Sequence, residues 1–236
     1  MTRRRWIADE VDGNRAALVG EHALHLSRVL RVRIGQEFDV VADGFVRHAR
    51  VSAVGENRVD FDLGEHLSPE LAANLTVFIS IFKFDRMEWA IEKITELGVA
   101  RIVPVVARRT ERHLATAAVK RVERWRRIAA QASEQARRSA VPEIADSIPL
   151  KSAIRSATPI KIVLSELEEG STLRAVVSPG AGSPEIALAF GPEGGWTEEE
   201  LALFQQEGWT SASLGGTILR AETAVIAAVA IVLSLA

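Results

Sequence analysis

The sequence predicts an α/β protein of two domains, a small β-rich domain over residues 1–72 and a larger domain over residues 73–236. Residues 37–63 contain short strand-like stretches separated by turn signals, which is the pattern of a small barrel. From residue 75 onward, continuous apolar runs typical of strands buried on both faces alternate with amphipathic helices, which indicates a mainly parallel sheet.

Two turns organise the first domain. Asp43 and Gly44 form the turn signal of a hairpin, and residues 55–57 (Gly-Glu-Asn) mark a second turn. Apolar and acidic residues then alternate over 59–63, as expected for a half-buried strand. We expect a short helix over 21–30 and a linker over 66–74.

The second domain is predicted to alternate strands and helices. Its strands are expected at 75–82, 102–106, 160–164, 186–190 and 211–214, and its helices at 85–97, 117–138, 197–207 and 221–235. Asp85 and Thr197 should cap their helices, each with a glutamate three residues later as in a capping box. The last helix is apolar nearly all round, so it should be buried on most sides, in the core or against a partner subunit. A homodimer is favoured.

Composition excludes several classes of protein. The chain has no cysteine, so disulfides, thiolate zinc sites and cysteine nucleophiles are excluded, and its five histidines are scattered, so no metal site is expected. The arginine-rich start lacks the apolar core of a secretory signal, and the apolar run at 224–233 is too short to span a bilayer. We therefore expect a cytoplasmic protein without membrane attachment.

Basic residues are concentrated in two regions, although the net charge is only -2. Residues 108–138 contain ten Lys/Arg against three acidic residues, and the first fifty residues contain nine arginines against seven acidic residues. Such patches suit contact with a polyanion on chosen faces. They are equally consistent with a solvated helix surface.

The most distinctive segment lies between a predicted strand and a predicted helix. Residues 191–195 read Gly-Pro-Glu-Gly-Gly, and three glycines in five residues allow the backbone to approach a ligand closely. The segment lacks the Lys and Ser/Thr of a phosphate-binding P-loop, and its glycines are not spaced as in a dinucleotide fingerprint. An acidic loop without a cation suits a ligand that is neutral or positive at its reactive end, although a structural turn would read the same way.

A second glycine-bearing turn follows the next strand, at residues 214–224. Arg220, within it, is the only basic residue after Arg174. An arginine set between apolar segments must be paired, with Glu222 the obvious local partner, or it must face a ligand. Successive parallel strands would present this turn and residues 191–195 to one crevice.

Together the two segments resemble the SPOUT class of RNA methyltransferases and, more narrowly, the small-subunit ribosomal RNA methyltransferase E family. The shared pattern is G-P-E-G-G followed one strand later by L-G-x-x-x-L-R-x-E-T-A. Residues 86–98, 134–138 and 141–144 agree with it as well, so the likeness runs through most of 75–236. In the first domain it rests on the arginine-rich start and on Arg33 and Gly35.

The resemblance implies a fold and an activity. The larger domain is expected to be a SPOUT-type, trefoil-knotted, mainly parallel sheet with flanking helices, and the first domain a PUA-like RNA-binding β-barrel. The knotted loops should hold S-adenosylmethionine, with the active site formed across a homodimer interface. The family methylates N3 of one uridine in 16S ribosomal RNA of the small ribosomal subunit.

The resemblance also implies roles for particular residues. The expected cofactor-binding residues are Leu164, Ser165, Glu166, Gly191, Glu193, Gly194, Gly195, Leu214, Gly215, Ile218, Leu219, Glu222, Thr223 and Ala224. The expected catalytic residues are Arg220, which would hold the uracil carbonyl or its anion, and Glu134, Gln135 and Arg138, which would orient the base or a phosphate. The expected RNA-binding residues are Arg3, Arg4, Arg5, Arg28, Arg31, Arg33, Arg121, Arg124 and Arg127.

Two other functions remain open from the sequence. Another SPOUT enzyme would keep the fold and methylate a ribose 2′-hydroxyl or a transfer RNA. A non-catalytic RNA-binding assembly factor would use the same basic patches without chemistry. Recovery of 3-methyluridine rather than 2′-O-methyl nucleosides would separate the first from uridine N3 methylation, and absence of S-adenosylmethionine binding would indicate the second.

Overall fold

A computed structural model describes residues 5–66, 74–136, 138, 140–155, 158–177 and 185–235. The chain divides into two compact units, one of Met1–Leu71 with Ser133–Ala140 and the other of Ala72–Ala132 with Val141–Ala236. The sequence-based division assigned 133–140 to the second domain. In the structure this segment groups with the first unit, where Glu134 Oε1 lies 3.0 Å from His22 Nε2.

The first unit is built around a curled, six-stranded sheet. Its strands are β1 (Arg5–Ile7), β2 (Glu10–Asp12), β3 (Arg15–Val19), β4 (Glu37–Ala42), β5 (Phe45–Val54) and β6 (Arg58–His66). Their order is β1-β4-β5-β6-β3-β2. Because β1 and β2 stand at opposite ends of this order yet are nearly continuous in the chain, the sheet closes on itself. Ala8 N donates to Val41 O at 2.9 Å and Asp9 N to Ala17 O at 3.0 Å across the closure.

Local features of this barrel-like sheet follow the sequence. Asp43 and Gly44 have φ values of 52° and 79°, as a two-residue hairpin turn between right-twisted strands requires, so the predicted turn is confirmed. The expected helix over 21–30 is instead a short helix α1 (Gly20–Leu24) that continues as a π-helical turn, His25–Val29. Leu18, Leu26 and Phe61 are fully buried in the barrel core.

The second unit is an α/β domain with a seven-stranded, all-parallel sheet. Its strands are β7 (Leu75–Ser80), β8 (Arg101–Val106), β9 (Glu143–Ile144), β10 (Ile148–Pro149), β11 (Ile160–Leu164), β12 (Ile186–Phe190) and β13 (Thr210–Ala212). Its helices are α2 (Phe84–Leu97), α3 (Arg112–Gln135), α4 (Leu150–Ala153), α5 (Leu173–Val176), α6 (Glu198–Gln206) and α7 (Ala221–Leu235), and α3 runs on into the segment grouped with the first unit. The strand order is β10-β8-β7-β12-β11-β13, with β9 also paired to β8.

Three neighbouring strands end together and position the site. In the register of the sheet Val163 of β11 is opposite Ala189 of β12, and Leu164 of β11 is opposite Ala212 of β13. All five residues of β12 are buried, as predicted for a strand covered on both faces. The loops that follow β11, β12 and β13 therefore leave the same edge of the sheet.

The predicted helix ends were correct in one case and wrong in another. Thr197 and Glu200 form the expected capping box at the start of α6. The predicted cap at Asp85 is wrong, because α2 begins at Phe84 after Lys83 and has no side-chain cap. Glu88, which was expected to complete that cap, instead accepts hydrogen bonds from arginines of α3.

Helix α7 is buried along one face only within the chain. Val225, Ala228 and Val229 are fully buried, whereas Ile226 and Ile231 are only partly covered. The helix was expected to be buried on most sides, and among the described residues part of its apolar surface stays only partly covered. Across the described ranges no helix is both long enough and apolar enough to cross a membrane.

Candidate active site

A cavity of about 360 Å³ lies where the loops after β11, β12 and β13 converge. Eleven of the fourteen residues expected to bind a cofactor line it: Leu164, Ser165, Glu166, Gly191, Glu193, Gly195, Leu214, Gly215, Ile218, Leu219 and Ala224. Arg220 lines it too. The structure thus brings the two glycine-bearing segments and the end of β11 to one place. Gly194, Glu222 and Thr223 are not part of the lining.

Hydrogen bonds hold the loop after β12 in place, one within the loop and others to neighbouring segments. Gly195 N donates to Pro192 O at 2.8 Å and closes a tight turn. The Arg109 guanidinium donates to Gly194 O at 2.6 Å and to Trp196 O at 3.1 Å. The indole of Trp196, which is buried, donates to Leu164 O at 3.0 Å and so ties this loop to the end of β11. This wall of the cavity is therefore held in place before any ligand binds.

Gly195 occupies a position that only glycine fits without rearrangement. Its φ of 69° lies in the left-handed region, where a Cβ is disfavoured. A Cβ built there would stand 2.1 Å from Glu166 Oε1. Because Glu166 belongs to the loop after β11, the close approach at Gly195 brings two walls of the cavity together.

Arg86 of α2 is a second cation in the cavity lining, beside Arg220, and its role was not predicted. Its Nη1 donates to Glu193 Oε1 at 2.7 Å, and its Nε lies 3.8 Å from Glu222 Oε1. Glu222, the local partner that the sequence offered for Arg220, is contacted instead by Arg86 from another helix. The second carboxylate oxygen of Glu222 is buried and has no hydrogen-bond partner among the described residues.

Arg220 has no carboxylate partner among the residues that the structure describes. It is exposed, lines the cavity, and forms no ion pair with any residue in the described part of the chain. Its backbone carbonyl accepts from Ala224 N at 2.9 Å at the start of α7. Of the two explanations that the sequence left open for this arginine, pairing and facing a ligand, the geometry favours the second.

Three other residues expected to be catalytic lie in the first unit. Glu134 contacts His22, whose Nδ1 stands 3.2 Å from both carboxylate oxygens of Asp9. Burial raises the pKa of the Glu134 carboxyl above its ordinary value, while His22 acts to lower it and Asp9 to raise it. Gln135 is exposed and Arg138 is buried.

The arginines expected to bind RNA fall into three groups. Arg3 and Arg4 lie outside the described residues, and of Arg5 only the backbone is described. Several of the others are already engaged: Arg28 with Glu56 at 2.9 Å, and Arg121 and Arg124 with Glu88 at 3.2 and 2.8 Å. The remaining three, Arg31, Arg33 and Arg127, are exposed and make no ion pair within the described ranges.

Sequence reasoning missed three residues that hold the cavity walls in place: Arg86, which also lines the cavity, Arg109 and Trp196. Arg86 stood in a segment that agreed with the family pattern, and Trp196 directly follows the glycine-rich loop, so both had a signal. Arg109 had none beyond its place in a basic stretch, since its partners lie about 85 residues away in the chain. In the part of the chain that is described, no group of three His, Asp or Glu side chains could hold a metal ion.

Comparisons with known proteins agree with this architecture. A family model described as an RNA methyltransferase domain matches residues 69–233. The ribosomal RNA small subunit methyltransferase E of Bacillus subtilis (strain 168) is 29% identical over 218 residues, 88% of this chain and 85% of the relative. Its counterpart in Rickettsia conorii is 30% identical over 226 residues, 93% of this chain and 89% of the relative.

A solved structure matches both units. The crystal structure of a ribosomal RNA small subunit methyltransferase E from Neisseria gonorrhoeae, bound to S-adenosyl methionine, superposes with a TM-score of 0.86 at 29% identity. The match covers 99% of this chain and 98% of that one. With the family model spanning most of the chain, these likenesses show that the protein belongs to the ribosomal RNA small subunit methyltransferase E family.

Proposed function

We propose that this protein transfers a methyl group from S-adenosylmethionine to N3 of one uridine in 16S ribosomal RNA of the small ribosomal subunit. The observation that carries the proposal is the cavity at the ends of β11, β12 and β13, formed by the loops that the family resemblance assigns to the cofactor. The relatives' names support ribosomal RNA of the small subunit as the substrate, and the solved relative binds this cofactor.

The cavity fits such a ligand in size and lining. About 360 Å³ is within the range of roughly 300–1,000 Å³ found for small-molecule sites. Leu164, Phe190 and Ile218 supply apolar surface for an adenine ring, and the turns around Gly191 and Gly215 expose backbone groups that can read its edge. The lining thus combines apolar side chains with glycine-bearing turns, as a nucleoside site requires.

The charges suit a ligand with a positive reactive end. Glu166 and Glu193 both line the cavity, and the unpartnered oxygen of Glu222 is buried nearby in the same ion-pair network. Arg86 offsets part of this negative charge but faces only one oxygen of each carboxylate that it contacts. A sulfonium or an amino group would be stabilised by such carboxylates.

When bound, S-adenosylmethionine supplies an electrophilic methyl group on its sulfonium. The protein's share of catalysis is then alignment of donor and acceptor, because direct displacement needs no covalent enzyme intermediate. Arg220 is the residue of this chain that would hold the uracil carbonyl and stabilise the negative charge left when the N3 proton departs. Glu134, Gln135 and Arg138 stay predicted to orient the base or a phosphate.

The first unit is proposed to bind the RNA. The cations Arg31 and Arg33 are exposed and unpaired within the described residues, so they are available to phosphates. In the second unit, Arg121 and Arg124 would have to exchange Glu88 for phosphate. Glu88 is only 14% exposed, so leaving its carboxylate without cations carries a cost that the phosphate contacts must offset.

We also propose that the protein is a homodimer with a trefoil knot at the cofactor loops, as the family resemblance implies. The partly covered apolar face of α7, with Ile226 and Ile231, supports a second copy of the chain as its partner. Sedimentation equilibrium should give twice the chain mass, and a monomer at micromolar concentration would contradict this part of the proposal.

The experiment that tests the activity uses purified protein, methyl-labelled S-adenosylmethionine and small subunits from cells that lack the protein. The RNA is digested to nucleosides after the reaction, and the label should be recovered as 3-methyluridine. Label in a 2′-O-methyl nucleoside, or in transfer RNA, would indicate another SPOUT methyltransferase activity instead. Absence of S-adenosylmethionine binding by titration calorimetry would indicate a non-catalytic RNA-binding factor.

A further inference from the structure

The loop of residues 29–35, which begins at the last residue of the π-helical turn and leads toward β4, exposes two aliphatic side chains and two cations. Val29 is 65% exposed and Ile34 is 70% exposed, whereas Val32 between them is buried. Arg31 and Arg33 are exposed and form no ion pair in the described part of the chain. An exposed aliphatic side chain contributes no burial free energy. Two of them next to two cations in one short loop therefore indicate a binding surface.

The loop is anchored rather than loose. Val32 packs into the barrel core, and its N–H donates to Leu26 O at 3.1 Å. The N–H of Arg33 donates to Gln36 Oε1 at 2.9 Å. The side chains that point outward are therefore presented from a defined backbone, which lowers the entropy lost when a partner binds.

The backbone of the loop also contains local strain. Arg31 has a φ of 49°, one of two non-glycine residues with positive φ among those described, and the other is Asp43 in the hairpin turn. A left-handed arginine costs on the order of 1 kcal/mol, and such strain is commonly retained where it positions a functional group. The π-helical turn that precedes it is a second feature found often at functional sites.

We propose that this loop contacts unpaired nucleotides of the RNA substrate, with Val29 and Ile34 packing on exposed base faces and Arg31 and Arg33 binding the flanking phosphates. The inference rests on the proposed function and adds to it the part of the first unit that meets the RNA and the form of RNA that it takes. A continuous duplex hides its base faces, so aliphatic side chains gain contact only where bases are unstacked. The two cations that would bind neighbouring phosphates of the RNA backbone, Arg31 and Arg33, lie within the same few residues.

The test measures binding of the full-length protein to a labelled single-stranded oligouridine and to a duplex RNA of equal length, over a series of salt concentrations. Val29→Ser with Ile34→Ser should weaken single-strand binding on the order of tenfold, because apolar burial is lost, and leave the salt dependence unchanged. Arg31→Asn with Arg33→Gln should lower the slope of log K against log salt by about 1.4, or roughly 0.7 for each phosphate contact to a single strand. Asparagine at position 31 tolerates the left-handed backbone.

Matched controls lie elsewhere on the barrel. Val54→Ser alters a side chain that is 38% exposed, and Arg15→Gln with Arg50→Gln removes two exposed cations. Neither control should change single-strand affinity more than the corresponding loop variant does. Equal losses in controls and loop variants would overturn the proposal, because binding would then depend on overall charge or surface polarity.

The remaining outcomes separate this inference from the proposed function. If loop variants bind oligouridine as the wild type does but fail to bind small subunits, the loop contacts a ribosomal protein and the inference is refuted. Equal weakening on duplex and single strand would refute the role of unpaired bases. S-adenosylmethionine affinity should be unchanged in every variant, and a wild type that binds neither RNA nor cofactor would refute the proposed function itself.

Discussion

Replacing Gly195 with alanine should destabilise the cofactor loop by a free energy that follows from its backbone conformation. At a φ of 69° an alanine costs about 1–2 kcal/mol relative to glycine. The new Cβ would also stand 2.1 Å from Glu166 Oε1 and 3.2 Å from its Cδ, so the Glu166 side chain must rotate away. That rotation is inexpensive, because Glu166 is exposed, but it removes a carboxylate from the cavity wall.

The cost can emerge in either of two measurements. If the loop keeps its conformation, the free energy of unfolding falls by about 1–2 kcal/mol, which denaturant titration measures. If the loop relaxes when empty, S-adenosylmethionine must restore it, and its dissociation constant rises about five- to thirtyfold in titration calorimetry. The loss in the free energy of unfolding and the loss in binding free energy should together be at least about 1 kcal/mol.

Gly216→Ala is the matched control in the neighbouring wall. Gly216 lies outside the left-handed region and has open space where a Cβ would stand. Its alanine variant should match the wild type in both measurements. If Gly195→Ala equals the wild type in unfolding free energy and cofactor affinity, the explanation for Gly195 is wrong. It is also wrong if Gly216→Ala loses as much stability or affinity as Gly195→Ala.

Three further predictions follow from the ion pairs and hydrogen bonds. Arg220→Ala should leave S-adenosylmethionine affinity within about threefold of the wild type and lower the turnover rate about a hundredfold or more, and unchanged turnover would remove Arg220 from the mechanism. Arg109→Ala frees two carbonyls of the cofactor loop and should weaken cofactor binding several-fold in calorimetry, whereas Arg108→Ala, which keeps its backbone hydrogen bond to Glu200, should not. The raised pKa of Glu134 means that its protonated form is favoured by folding, so its contribution to stability is complete below the ordinary glutamate pKa of about 4.3 and is lost as pH rises through the raised value. Denaturant titration of the wild type and Glu134→Gln at several pH values should show the wild type's free energy of unfolding falling relative to that of the variant over that range. Parallel curves of unfolding free energy against pH would contradict the raised pKa.

Two local pairings that spacing suggested are replaced by contacts with residues distant in sequence. Asp85 and Glu88 have the spacing of a capping box, yet Glu88 bonds to two arginines of α3, because charged partners form stronger hydrogen bonds than a backbone amide does. Likewise, Arg220 and Glu222 are two residues apart, but Glu222 pairs with Arg86. In both cases a partner distant in sequence displaced the one that spacing suggested.

Local sequence was enough to predict the features that depend on neighbouring residues. The hairpin turn at Asp43 and Gly44, the end of α2 at Gly98, the capping box of Thr197 and the buried strand β12 all follow from local conformational preference or from runs of apolar residues. The likeness of two short segments to a known pattern was also enough to mark most of the cavity lining.

Which groups meet across the fold depends on long-range packing. Arg86 reaches Glu193 over a separation of 107 residues, and the sequence holds no rule for a contact set by how α2 packs against α7. The grouping of residues 133–140 with the first unit is of the same kind, since it depends on contacts such as that between Glu134 and His22. Local pattern specifies turns, caps and buried runs because their energies involve adjacent residues, whereas ion-pair choice depends on distances that exist only once the chain has folded.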